Sequence, residues 1–75
     1  MNIQTFISQL EEVFERDNGS MLATEAFRDY DEWDSITLLT LIAMLEDEYS
    51  VTIPRVRFEA MITIQDMFDT VKDLK

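Results

Sequence analysis

One hydroxyl stands out among the side chains able to do chemistry. Ser35 lies in the segment Tyr30-Asp31-Glu32-Trp33-Asp34-Ser35-Ile36, directly after a carboxylate and directly before an apolar run. A hydroxyl at the mouth of a hydrophobic helix meets partly free N–H groups and the positive end of the helix dipole, a setting that welcomes an attached anion such as a phosphate ester. The plainer reading has Asp34 or Ser35 simply cap that helix, and local features alone favour it, because Asp and Ser are among the commonest N-caps. Little catalytic apparatus exists elsewhere. The chain has no His and no Cys, so the usual general bases, thiol nucleophiles and zinc ligands are missing. The expectation is a protein that is not an enzyme and has no catalytic residues. The acid-rich segment also fails as a calcium loop. Starting the EF-hand template at Asp29 puts Trp33 at position five, Asp34 where Gly is needed, and Thr40 at position twelve, so no metal site is expected.

Composition narrows the partners. Seventy-five residues make one small domain, 1–75, with a thin core, and 47% apolar residues are too many for a disordered tail. Sixteen acids against six bases give a net charge of −10, which repels phosphate backbones and anionic lipids at long range. Nucleic acid is therefore excluded as a partner. The apolar stretch Leu38 to Leu45 is far shorter than the roughly 20 residues a membrane span needs, so no membrane insertion is expected. The N-terminus, Met1-Asn2-Ile3-Gln4-Thr5, lacks a basic region followed by an apolar block, and a cytoplasmic monomer is the default expectation.

One Gly and one Pro are few breakers for this length, which points to helices with short connections. Ile3, Phe6, Ile7, Leu10, Val13 and Phe14 recur at three- and four-residue steps, with Gln9, Glu11, Glu12 and Glu15 off the stripe; Asn18-Gly19 is the expected stop. From Gly19 to Asp34 the pattern dissolves into a connector. Met21, Leu22, Ala23, Phe27, Tyr30 and Trp33 are its candidate anchors, with room for a short helical turn around Thr24 to Arg28. A second helix is predicted from Ser35 to Tyr49, apolar on more than one stripe and so expected to sit centrally. Val51-Thr52-Ile53-Pro54 reads as a turn, since the residue before Pro leaves the α region. A short third helix follows through Val56, Phe58 and Met61. Thr63 with Asp66 three residues on signals the N-cap of a last helix, buried along Ile64, Met67, Phe68, Val71 and Leu74. The fold class is all-α: a small four-helix bundle of three main helices and one short one, with a long first connection.

Asp34-Ser35-Ile36 is similar to the Asp-Ser-Leu signature of the acyl carrier proteins. The run from Asp34 through Leu45, the acidic Glu46-Asp47-Glu48, Tyr49 and the Ile53-Pro54 turn resembles that family's second helix and its exit at matching spacing. A triplet alone is weak, but the register extends over the whole chain. The resemblance implies that Ser35 carries 4′-phosphopantetheine, transferred from coenzyme A by a separate phosphopantetheinyl transferase with magnesium. Ser35 is then an acceptor, and the transferase supplies the base. The thiol of the arm would hold acyl or aminoacyl groups as thioesters for delivery to partner enzymes.

Other residues take roles by the same resemblance, each beside a plainer one. Asp34 presents Ser35 to the transferase, or caps the helix. Ile36 is an apolar contact beside the arm, or core. Trp33 shields the arm or touches a partner, or pins its own loop. Glu46, Asp47 and Glu48 meet basic docking patches on a ligase, synthase or transferase, or form a solvated helix end that opposes the dipole. Thr37 and Thr40 stand where members serving fatty-acid synthesis carry acids, and Arg55 and Arg57 follow the Pro where that branch is acidic. Steering charge is therefore expected upstream, at Asp29, Asp31, Glu32 and Asp34, in a specialised carrier rather than a housekeeping one. Met44, Met61 and Met67 with Leu38, Leu41, Ile42 and Phe58 form either an adaptable interior for cargo or plain core.

Two alternatives remain at the level of sequence. One is a cofactor-free acidic interaction module with Ser35 unmodified. The other, within the carrier class, is a peptidyl or D-alanyl carrier loaded by an adenylating ligase; Trp33 and the lack of a Gly-Gly approach lean away from the peptidyl pattern. Fatty-acyl, polyketide, aminoacyl and cell-surface-glycan pathways all stay open.

Overall fold

The computed structural model describes residues 2–75; Met1, where the N-terminal stretch read above begins, lies outside the described residues. Four α-helices run α1 (Ile3–Val13), α2 (Ser35–Tyr49), α3 (Arg55–Phe58) and α4 (Ile64–Leu74), with a single 3-10 turn at Phe27–Asp29 in the long first connection. Among the described residues there is no strand, only an isolated antiparallel bridge between Ala26 and Thr63. No helix is long and apolar enough to cross a membrane.

The predicted stripes form the core. Phe6 and Leu10 of α1, Leu41 and Leu45 of α2, and Ile64, Met67 and Val71 of α4 are fully buried in one cluster with Phe27, Phe58 and Ile53. Phe6 meets Tyr49 and Phe68 at ring separations of 5.8 and 5.5 Å, joining the three long helices at one aromatic contact. Each such side chain contributes about 1.5–3 kcal/mol by leaving water. The capping box of α4 is complete, with the Asp66 N–H donating to the Thr63 hydroxyl and the Asp66 carboxylate accepting the Thr63 N–H.

Three expectations need correction. First, α1 stops at Val13 rather than at Asn18-Gly19: Glu15 takes the left-handed conformation (φ 57°), and the N–H groups of Glu15 and Arg16 donate to the carbonyls of Glu12 and Glu11. That double closure satisfies the last carbonyls without glycine. Second, Glu11 is not on the solvated face. It is 2% exposed, and its carboxylate accepts the N–H groups of Gly19 (2.8 Å) and Met21 (3.1 Å). Third, several apolar residues stay outside. Ile36 and Leu39 of α2, Leu22 of the connector and Leu74 of α4 are exposed, so α2 buries one face instead of being surrounded.

The connector is sewn to the start of α4. Phe27 N–H donates to the Ile62 carbonyl, while the N–H groups of Ile64 and Gln65 donate to the carbonyls of Glu25 and Ala23. Helix α4 thus satisfies its first-turn donors with loop carbonyls, and the loop arrives at α2 held from below.

Candidate functional site

The mouth of α2 is built from its cap. Asp34 is extended, and its carboxylate accepts the Thr37 N–H at 2.7 Å; that bond is the main reason its acidity lies below the ordinary carboxylate range. Ser35 is therefore the first helical residue and not the cap. Its side chain is exposed, and its hydroxyl makes no hydrogen bond among the described residues. The result is a free hydroxyl at the positive end of a 15-residue helix.

The residues leading in are tied down. Trp33 is half-buried, stacked on Phe14 at 6.0 Å and edge-on to Phe27 at 4.9 Å, so the structure corrects its expected role in touching a partner: it pins the loop. Glu32 is paired with Arg16 at 3.0 Å, which removes it from the free steering charge. The Thr37 hydroxyl donates to the Glu32 carbonyl at 2.7 Å, fastening the loop to the helix rather than facing outward. Asp31 and Asp29 are exposed, with no partner among the described residues.

Ile36 is 74% exposed, which corrects the reading of it as core and leaves an apolar side chain beside the free hydroxyl. Leu39 continues that exposed face one turn on. The Thr40 hydroxyl bonds back to the Ile36 carbonyl at 3.0 Å. Glu46, Asp47 and Glu48 are exposed at the far end of α2, roughly 17–20 Å along the axis from Ser35 at the rise of an α-helix. The structure brings Asp34, Ser35 and Ile36 together and leaves that acidic end as a separate surface.

Sequence reasoning missed one neighbour. A groove of about 340 Å³ runs between the end of α1 and the start of α2, lined by Glu12, Val13, Glu15, Asp34, Ile36 and Thr40 among others. Glu12 and Glu15 read as a solvated helix face, and their approach to Asp34 depends on how two helices cross, for which the chain carries no local signal. The interior residues Leu38, Leu41, Phe58, Met61 and Met67 are buried in one packed cluster, with Ile42 and Met44 at its edge. Among the described residues no group of acids is arranged to hold a metal ion.

The family described as "Phosphopantetheine attachment site" matches residues 4–71. The solution NMR structure of a holo acyl carrier protein from Geobacter metallireducens aligns with a TM-score of 0.79, covering 96% of this chain and 83% of that one at 22% identity. At that identity the likeness is one of fold, and it agrees with the all-α arrangement. No curated protein matches the chain.

Proposed function

The chain belongs to the phosphopantetheine-attachment family, and from that premise we propose that Ser35 is the residue carrying its 4′-phosphopantetheine. Membership makes the protein a carrier rather than an enzyme, with a covalent cofactor and partner enzymes that act on what it carries. The observation supporting Ser35 is its hydroxyl, exposed and free of internal bonds at the entrance of α2, inside the matched segment.

The residues present fit the group. A phosphodiester on the Ser35 oxygen is an anion at the positive end of the helix dipole, where such charge is stabilised. Asp34 holds that end open by capping with its own carboxylate, so the serine is spared the work. Asp34 is a poor base for the Ser35 proton, because its carboxylate is committed to the Thr37 N–H and shifted toward greater acidity. With no His or Cys in the chain, the proton leaves to a base on the phosphopantetheinyl transferase. When bound, the cofactor supplies a thiol that holds acyl or aminoacyl groups as thioesters. Residues 1–75 act as one monomeric, cytoplasmic carrier domain. The exposed Ile36 and the acidic end Glu46-Asp47-Glu48 offer two surfaces to a loading ligase, synthase or transferase.

The test is intact mass after incubation with coenzyme A, magnesium and a broad-specificity phosphopantetheinyl transferase. Wild type is expected to gain one phosphopantetheine and Ser35→Ala none. A mass gain on Ser35→Ala, or none on wild type under conditions that load a control carrier, overturns the assignment.

A further inference from the structure

We propose that the groove between the end of α1 and the mouth of α2 is where the transferase that loads Ser35 seats a cationic side chain, an inference that rests on Ser35 being the attachment point. Two of the residues lining it, Asp34 and Ile36, immediately flank Ser35, and Glu12 and Glu15 face them from α1 and its exit. The Glu12 and Glu15 carboxylates have no hydrogen bond or ion pair among the described residues, and only one Asp34 oxygen is engaged, by Thr37. The nearby cation does not fill the gap: the Arg16 guanidinium bonds to Glu32 and lies 4.4 Å from the centre of the Tyr30 ring.

The floor is apolar at Val13 and Ile36. Three uncompensated carboxylates around an apolar floor complement the head and stem of an arginine or lysine, whose methylenes pack while the charge stays at the rim. The same charges oppose the cofactor arm as occupant, since its phosphodiester is itself an anion. They favour the transferase over later partners by position. An enzyme making a bond to the Ser35 oxygen must bring its surface over residues 34 and 36, whereas enzymes acting on the thioester meet the far end of the arm. Glu15 sharpens the point, because it holds the left-handed position after α1 that favours glycine.

Steady-state loading by the same transferase tests this, with KM and kcat measured for the apo carrier. The double variant Glu12→Gln/Glu15→Gln removes two charges without changing shape; Glu59→Gln/Asp73→Asn removes two elsewhere. The groove variant is expected to raise KM roughly 3- to 10-fold over the control, as for two rim charge pairs, with kcat within about twofold. The gap should shrink at about 1 M salt, where screening reaches only a few Å. Glu15→Gly separates docking from fold: its urea midpoint is expected to rise while its KM also rises. Equal KM values for the groove and control pairs, or Glu15→Gly loading like wild type, overturn the groove while leaving Ser35 as the attachment residue. Absence of loading in wild type overturns both.

Discussion

The carboxylate of Asp34 accepts the backbone N–H of Thr37 at 2.7 Å, so the residue before the serine, and not the serine, caps α2. Structure and chemistry are thereby divided between neighbours. A helix start needs a side-chain acceptor, a carrier needs a hydroxyl with nothing else to do, and one residue cannot satisfy both.

The division predicts opposite phenotypes at adjacent positions. Asp34→Ala is expected to destabilise the fold by about 1 kcal/mol, the usual loss for an N-cap. Ser35→Ala should leave stability within ~0.5 kcal/mol of wild type, as for surface substitutions that break no internal bond, while abolishing loading. Urea denaturation read by circular dichroism with intact mass on the same samples makes the comparison. Unfolding of Ser35→Ala in buffer would show that the hydroxyl is structural after all.

Burial predicts a graded core. Leu41 is fully enclosed and Ile42, its neighbour, sits at the edge of the cluster. Leu41→Ala should therefore cost about 2–5 kcal/mol, and Ile42→Ala distinctly less, since part of its side chain is already in water. In so small a domain the first loss approaches the whole stability. Equal urea midpoints for the two variants would contradict the placement of α2.

What the chain revealed in advance follows from the range of the interactions involved. Helix α2 ends where expected, Ser35 to Tyr49, because Asp34 caps it locally, Ser50 turns left-handed and Pro54 forbids continuation. The Thr63–Asp66 capping box is equally local. The stop of α1 was misplaced because Gly19 looked like a terminator, whereas its N–H is claimed by Glu11 eight residues earlier, a contact that exists only after the connector folds back. Trp33 and Glu32 changed roles for the same reason, since Phe14 and Arg16 reach them from another element. Ser35 was legible through its motif; the groove beside it is a product of helix crossing, and its Glu12 and Glu15 look like any solvated acids until α2 is brought near.

Acid should weaken the fold through the caps. Asp34 and Asp66 both titrate below their ordinary value of 3.8, chiefly because of the N–H groups of Thr37 and Thr63 respectively. A depressed folded-state value means the unfolded chain binds protons first as pH falls. The contribution of each cap is thus complete above pH 3.8 and lost progressively below it, down to the folded value. Asp66→Asn is expected to be less stable than wild type at pH 7 and to show a shallower fall below pH 3.8. Thermal melts between pH 7 and 2.5 measure it; parallel curves for the two proteins would remove Asp66 as a source of the acid sensitivity.

Glu11 predicts where the long connection first comes loose. Its buried carboxylate serves the N–H groups of both Gly19 and Met21, and no other acceptor is recorded for either. Removing it strands two donors, of which the Met21 N–H is buried, at a cost of about 1–3 kcal/mol for a buried unsatisfied group. Glu11→Ala should accordingly lose stability in that range and accelerate amide hydrogen exchange at Gly19 and Met21. Exchange within α4 should change no more than the global loss requires. Glu11→Gln keeps one acceptor oxygen and places an N–H₂ group where the second was, so it should fall between wild type and alanine. The order follows from donor counting alone: if glutamine and alanine variants exchanged at the same rate, the carboxylate would be acting through its charge, and the two-donor latch would be the wrong account of why a carboxylate sits buried there.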